Sequence, residues 1–241
     1  KEKYEKPAEK HSIIKDKMNI LFISHLFPNN YEANSGIFNL NRIKALAGRG
    51  HKVKIIVPVS ILPPIKYVFP KLNIRMIKKY YSGFSTAIQS EEYANKDCLF
   101  LPWFPLPSKI LWAYQSHFLN IFLNMKLKSI IAHFKPDLFL LSVLNPEGTY
   151  SRYIKRLTDS PVFAIAEGSE ILIYPAIYSG FEKICLTVEK YTDKVIFVSG
   201  SMLNKARELY PFTKYEVLVN GYDRECFFYS GKKNDKKKEF T

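Results

Sequence analysis

Cysteine is scarce in this chain: three among 241 residues, Cys98, Cys185 and Cys226, far apart and odd in number. That spacing argues against a disulfide framework or a zinc site built on cysteine pairs, and it predicts a protein of the reducing cytoplasm. Glycine is scarce too, ten in all. The glycines form neither G-x-x-x-x-G-K-[ST] nor G-x-G-x-x-G, so P-loop hydrolysis and nicotinamide hydride transfer lose their usual markers. H-E-x-x-H and C-x-x-C are absent as well. No run approaches the roughly 18–20 apolar residues of a membrane span. Residues 1–17 lack the apolar stretch of a secretory signal and read as a solvated leader.

Acidic residues are in deficit, 22 against 36 Lys and Arg, for a net charge of +14. Part of the excess lies in 229–241, which reads as a basic linker or tail. The rest is spread through the body. That balance suits an anionic partner, whether a nucleotide, an anionic membrane surface or nucleic acid, and does not choose among them.

Apolar residues, by contrast, make up 47% of the chain and aromatics 15%, enough for a packed core. Strands are predicted at Met18–Ser24, Lys52–Pro58, Asp97–Leu101, Asp137–Val143, Pro161–Ala166, Asp193–Ser199 and Tyr215–Val219, with Ile74–Ile77 as a further short one. Helical periodicity covers Gly36–Arg49, Ser108–Phe134, Thr149–Leu157, Phe181–Tyr191 and Ser201–Tyr210. In the first, Leu40, Ile43, Leu46 and Ala47 share a stripe. In the second, Leu111, Tyr114, Phe118, Phe122 and Met125 are spaced as a core-facing stripe. Its basic flanks, Lys109, Lys126, Lys128 and Lys135, leave an interfacial position on a bilayer open. No nucleic-acid-binding pattern accompanies these aromatics, so nucleic acid is not the expected partner. Strands that are apolar throughout, alternating with helices, predict a doubly wound, Rossmann-like α/β domain over 18–228, a parallel sheet with helices on both faces.

Ligands of such sheets bind beyond the carboxyl ends of the strands. The candidate residues are therefore His25, Ser35 and Gly36 after the first strand, and Asn145 and Glu147 after Asp137–Val143. Glu167, Gly168, Ser169 and Glu170 follow Pro161–Ala166, and Ser199, Asn220 and Gly221 complete the rim. The A-E-G-S-E loop is densest in chemistry. Its carboxylates could accept hydrogen bonds from sugar hydroxyls or take a proton from one, or could simply cap a turn. Gly168 permits close backbone approach. His25 is a candidate hydrogen-bonding or acid–base group. The loop His25–Gly36 is long, polar and holds a single glycine, unlike a dinucleotide cradle.

Four stretches carry a resemblance: M-N-I-L-F-I-S-H through G-R-G-H-K-V, then A-E-G-S-E-I-L-I-Y-P, T-D-K-V-I-F-V-S-G-S-M-L-N-K and V-L-V-N-G-Y-D-R-E-C-F. In order and spacing they resemble the N-terminal domain of family-4 glycosyltransferases of the GT-B fold. The resemblance implies a retaining enzyme that moves a sugar from a nucleotide-sugar donor to a hydroxyl acceptor, glycan or lipid-linked, with no metal or resident cofactor. It also implies surface polysaccharide or glycolipid synthesis, at the inner face of the plasma membrane. In that family the N-terminal domain shapes the acceptor side, while a facing C-terminal domain, absent from these 241 residues, grips the nucleotide. By this expectation the chain alone is incomplete for catalysis. Where the family often has a histidine at the reacting centre, this sequence has Glu167, the candidate catalytic residue. Glu170 matches an acidic position of the same motif. The alternative is a free-standing Rossmann-like module that binds a glycan or nucleotide without chemistry.

Overall fold

A computed structural model of the chain describes residues 17–29, 34–62, 73–89, 97–105 and 111–221. The leader up to residue 16, the centre of the first polar loop (30–33), Tyr222 and Asp223, Cys226 and the tail 229–241 lie outside the described residues. So does Lys109, the first of the basic flanks.

Seven strands, β1 (Asn19–Ile23), β2 (Lys52–Ser60), β3 (Cys98–Trp103), β4 (Leu138–Ser142), β5 (Val162–Ala166), β6 (Lys194–Phe197) and β7 (Tyr215–Val217), form one sheet. Its order is β3-β2-β1-β4-β5-β6-β7 and every pairing is parallel. The helices are α1 (Ile37–Gly48), α2 (Ile74–Gln89), α3 (Gln115–Phe134), α4 (Thr149–Ile154), the single turns α5 (Ser169–Leu172) and α6 (Tyr174–Ile177), α7 (Phe181–Tyr191) and α8 (Gly200–Leu209). This is the Rossmann-like α/β arrangement that the alternating pattern predicts.

The strands are apolar on both faces because both are covered. Ile20 and Phe22 of β1 pack with Ile43 of α1, while Leu21 and Ile23 pack with Leu119, Leu123 and Leu127 of α3. Farther along, Ala164, Ala166, Val195 and Phe197 meet Ile184, Cys185 and Val188 of α7 and Met202 and Ala206 of α8. Each large side chain so buried contributes roughly 1.5–3 kcal/mol.

Two expectations are corrected. Ile74–Ile77 is not a strand but the first turn of α2, opened by Asn73, whose side-chain oxygen accepts from the Met76 amide at 3.0 Å. The stripe assigned to the core of the third helix is on the wrong side. Leu119, Leu123, Leu127 and Ile130 point inward, whereas Tyr114, Phe122 and Met125 are exposed. Both faces of this helix are apolar, so spacing alone cannot decide which one the sheet takes.

Candidate functional site

The strand order reverses between β1 and β4, and the loops that leave these strands diverge there. A cavity of about 590 Å³ occupies the crevice, bounded by the ends of β1, β2, β3 and β5. Its walls include His25, Ser35, Asn145, Glu167, Ser169 and Glu170 from the predicted rim. Aromatic residues form another part of the wall. Trp112 stacks on Tyr178 with ring centroids 4.8 Å apart and meets Tyr174 edge-on at 5.3 Å. Tyr80 lines the cavity while donating its hydroxyl to the Ser60 carbonyl at 2.6 Å.

His25 stands where β1 ends. Its ring nitrogen Nδ1 lies 2.8 Å from Glu147 Oε1, and its backbone amide donates to the same oxygen at 2.6 Å. Glu147 comes from the irregular turn Leu144–Gly148 after β4 and is fully buried. Its other oxygen, Oε2, has no hydrogen-bond partner among the described residues. Burial of the imidazole opposes its charged form. The Glu147 carboxylate outweighs that, through its charge and hydrogen bond, and with help from Glu170 holds the His25 pKa above the ordinary 6.5. With Nδ1 committed to Glu147, Nε2 is the ring nitrogen left for a ligand in the cavity.

A second network lies beside it. Glu167, at the end of β5, accepts from Arg42 Nη1 at 2.8 Å and from the Ser142 hydroxyl at 2.9 Å. Its side chain is only 5% exposed, and that of Arg42 17%. Arg42 also donates from Nη1 to Asn39 Oδ1 at 2.5 Å and from Nη2 to Asn220 Oδ1 at 2.7 Å. Asn39, buried in α1, donates to the Leu26 carbonyl at 2.8 Å and the Ser142 hydroxyl at 3.0 Å. One guanidinium therefore ties α1, the end of β5 and the segment after β7 together.

Glu170 folds back on its own loop. Its two oxygens accept from the amides of Glu167, at 2.8 Å, and Gly168, at 3.1 Å, as an acidic residue does near a helix start. Burial pushes its carboxyl above the usual range and the charge of Glu167 adds to that, while the amide donors pull the other way. Gly168, at φ 133°, holds a backbone shape that side chains resist, and the space beside its Cα is open.

The remaining rim residues are less available. A Cβ on Gly36, at φ 60°, would sit 2.1 Å from the Leu26 carbonyl oxygen, so its close approach is to the neighbouring backbone. Asn145 donates to the Trp112 carbonyl at 2.8 Å and accepts from the Thr149 hydroxyl at 2.8 Å, both bonds within the fold. Ser199 caps α8 by accepting from the Met202 amide at 3.2 Å. Asn220 joins the network through Arg42, and Gly221 is exposed. Among the described residues no group of three or more His, Cys, Asp or Glu is placed to hold a metal ion.

Arg42, Asn39, Ser142 and the Trp112–Tyr174–Tyr178 wall are not among the sequence-predicted site. Asn39 had a signal: four residues before Ile43, it is a polar side chain on the buried side of a helix, and buried polar groups need partners. Arg42 had none, because a basic residue on a helix is ordinarily solvated.

No family model matches the chain, and no curated protein matches it. Solved structures do match. UGT73P12 of Glycyrrhiza uralensis, solved with glycyrrhetinic acid 3-O-monoglucuronide, is 10% identical over 83% of this chain and 48% of its own, at a TM-score of 0.38. MnaA of S. aureus, solved with UDP, is 15% identical over 85% of this chain and 44% of its own, at 0.40. A putative UDP-N-acetylglucosamine 2-epimerase from Listeria monocytogenes is 10% identical over 80% and 42%, also at 0.40. The chain thus spans less than half the length of each. At such identities and scores these likenesses assign neither a family nor an activity. No described helix is long and apolar enough to cross a membrane.

Proposed function

We propose that this chain is the acceptor-side domain of a GT-B glycosyltransferase that moves a sugar from a nucleotide-sugar donor to a hydroxyl acceptor. The observation that carries the reading is the cavity at the strand-order reversal, whose lining combines His25, backed by Glu147, with an aromatic wall. Flat aromatic rings suit the apolar faces of a sugar ring, and a few convergent polar groups suit its hydroxyls. As imidazolium, His25 donates through Nε2 to an acceptor or phosphate oxygen. Once deprotonated, the same nitrogen can take the proton of an acceptor hydroxyl, with Glu147 stabilising the charge that forms.

Glu167 is neutralised by Arg42, which favours a restraining role over direct chemistry. Retention of anomeric configuration follows from the family-4 resemblance. Fixed donors for the departing diphosphate come, on this reading, from a facing domain outside these 241 residues, and closure of the two would exclude water.

The test has two arms. Saturation-transfer NMR on the chain, with oligosaccharides and nucleotide sugars, should show a hydroxylated ligand seated against Trp112 and Tyr178 and weakened in His25→Ala, with no donor turnover. Fused to a facing nucleotide-binding domain, the chain should transfer sugar, and NMR of the product reads the anomeric outcome. Donor turnover by the chain alone, or ligand binding indifferent to His25, overturns the reading.

A further inference from the structure

The crevice carries a charge that its own residues do not cancel. Three carboxylates gather there: Glu147, bonded to His25, Glu167 at the end of β5, and Glu170 in α5. Glu167 is matched by Arg42 at 2.8 Å, and Glu147 by His25 when the ring is protonated, with Nδ1 at 2.8 Å. Glu170 is left over. It lines the cavity, is 2% exposed, and among the described residues no cation pairs with it. Its oxygens accept only from the amides of its own loop. A glutamine could close the same turn without charge. A carboxylate enclosed without a cation is costly until one arrives.

The composition of the wall points the same way. In a chain of net charge +14, the described residues that line the cavity include no Lys and no Arg. They do include three aromatic rings in mutual contact: Tyr174 meets Tyr178 edge-on at 5.3 Å, as it meets Trp112. Tyr174 is four residues beyond Glu170, and its hydroxyl pKa is raised first by burial and then by the Glu170 charge. The same charge is felt at His25. The face of an aromatic ring and a carboxylate both attract a cation. An acceptor bearing phosphate or carboxylate would instead meet Glu170 with like charge.

Resting on the function proposed above, we infer that the acceptor bears a protonated amine, as an amino sugar does, with its ammonium beside Glu170 at the Tyr174 end of the aromatic wall. The proton on His25 is affected too. The charged groups that face the imidazole are Glu147, from the turn after β4, and Glu170, from α5, while Arg42 of α1 is engaged by Glu167. An ammonium beside Glu170 cancels its share of the attraction that holds the proton on the ring. Binding thus releases a proton and moves Nε2 toward the basic form that can take the proton of an acceptor hydroxyl. By reciprocity, affinity for the amine rises with pH until the amine itself deprotonates.

The test is calorimetry on the full chain at about pH 6.5, where an amine of the α-amino type is largely protonated. Three matched probes are used: a glucosamine trisaccharide, a glucose trisaccharide and a galacturonic acid trisaccharide. The amine should bind about tenfold tighter than the neutral probe and the uronate about tenfold more weakly, for one charge felt at an effective dielectric constant of about 20. Titration of the amine in buffers of different ionisation heat should show proton release, and histidine NMR should show the His25 pKa falling. Glu170→Gln should bring the three affinities within about threefold of one another, with circular dichroism reporting the fold. If that variant does not fold, the order of the probes and the sign of the proton linkage in wild type decide alone. A neutral or uronate probe that binds as tightly as the amine, or proton uptake with the amine, overturns the inference and leaves the proposed function standing. Absence of binding by all three overturns both.

Discussion

Glu147→Gln isolates the chemistry of the His25 pair. The substitution keeps the side chain's shape and leaves an oxygen to accept from the His25 amide, but removes the charge facing Nδ1. A hydrogen bond to a charged group contributes roughly 1.5–3 kcal/mol. Because 35% of the His25 side chain is exposed, solvent screening reduces this to about 1–2 kcal/mol. The sign with pH follows from linkage. His25 is raised in the folded state above 6.5, so the pair's contribution is fully present below that value and is lost as pH rises through the folded pKa. The variant should therefore be less stable than wild type by about 1–2 kcal/mol near pH 6, with a smaller gap at about pH 9. Urea unfolding at the two pH values measures it, and histidine NMR titration should show the His25 pKa falling on substitution. An equal gap at both pH values, or an unmoved titration, would refute the reasoning.

Two further outcomes are expected. Arg42→Met strands the nearly buried Glu167 carboxylate and should cost about 3–5 kcal/mol, while Arg42→Met with Glu167→Gln should recover much of that in a double-mutant cycle. Additive losses would show the pair to be uncoupled. Gly36→Ala combines a left-handed backbone with a Cβ forced onto the Leu26 carbonyl, for a loss of about 3 kcal/mol by urea unfolding. A loss under about 0.5 kcal/mol would contradict that geometry.

The strands were legible because continuous runs such as I-L-F-I and L-F-L-L-S can be satisfied only inside a covered sheet. The third helix shows where periodicity stops informing. Leu119, Leu123 and Leu127 make one apolar stripe and Tyr114, Phe118, Phe122 and Met125 another, and only the sheet's position chooses between them. His25 and Glu147 were both legible as rim residues, but not as a pair. They lie 122 residues apart, and the parallel register of β1 and β4 is what brings them together. Arg42 was illegible because its partners, Glu167 and Asn220, come from two distant loops that converge only in the fold.

The placing of β1 at the middle of the sheet has a consequence for biosynthesis. A chain leaves the ribosome N-terminus first, so β1 can pair early with β2, but its other edge must wait for β4. Asn19 and Asp137, which join the starts of those strands at 2.8 Å, are 118 residues apart. Until that segment emerges, Ile20–Ile23 is an apolar strand with one open edge, the form most prone to pair with another nascent chain. The junction that creates the ligand crevice is thus also a late seam of folding, where delay during synthesis is most costly.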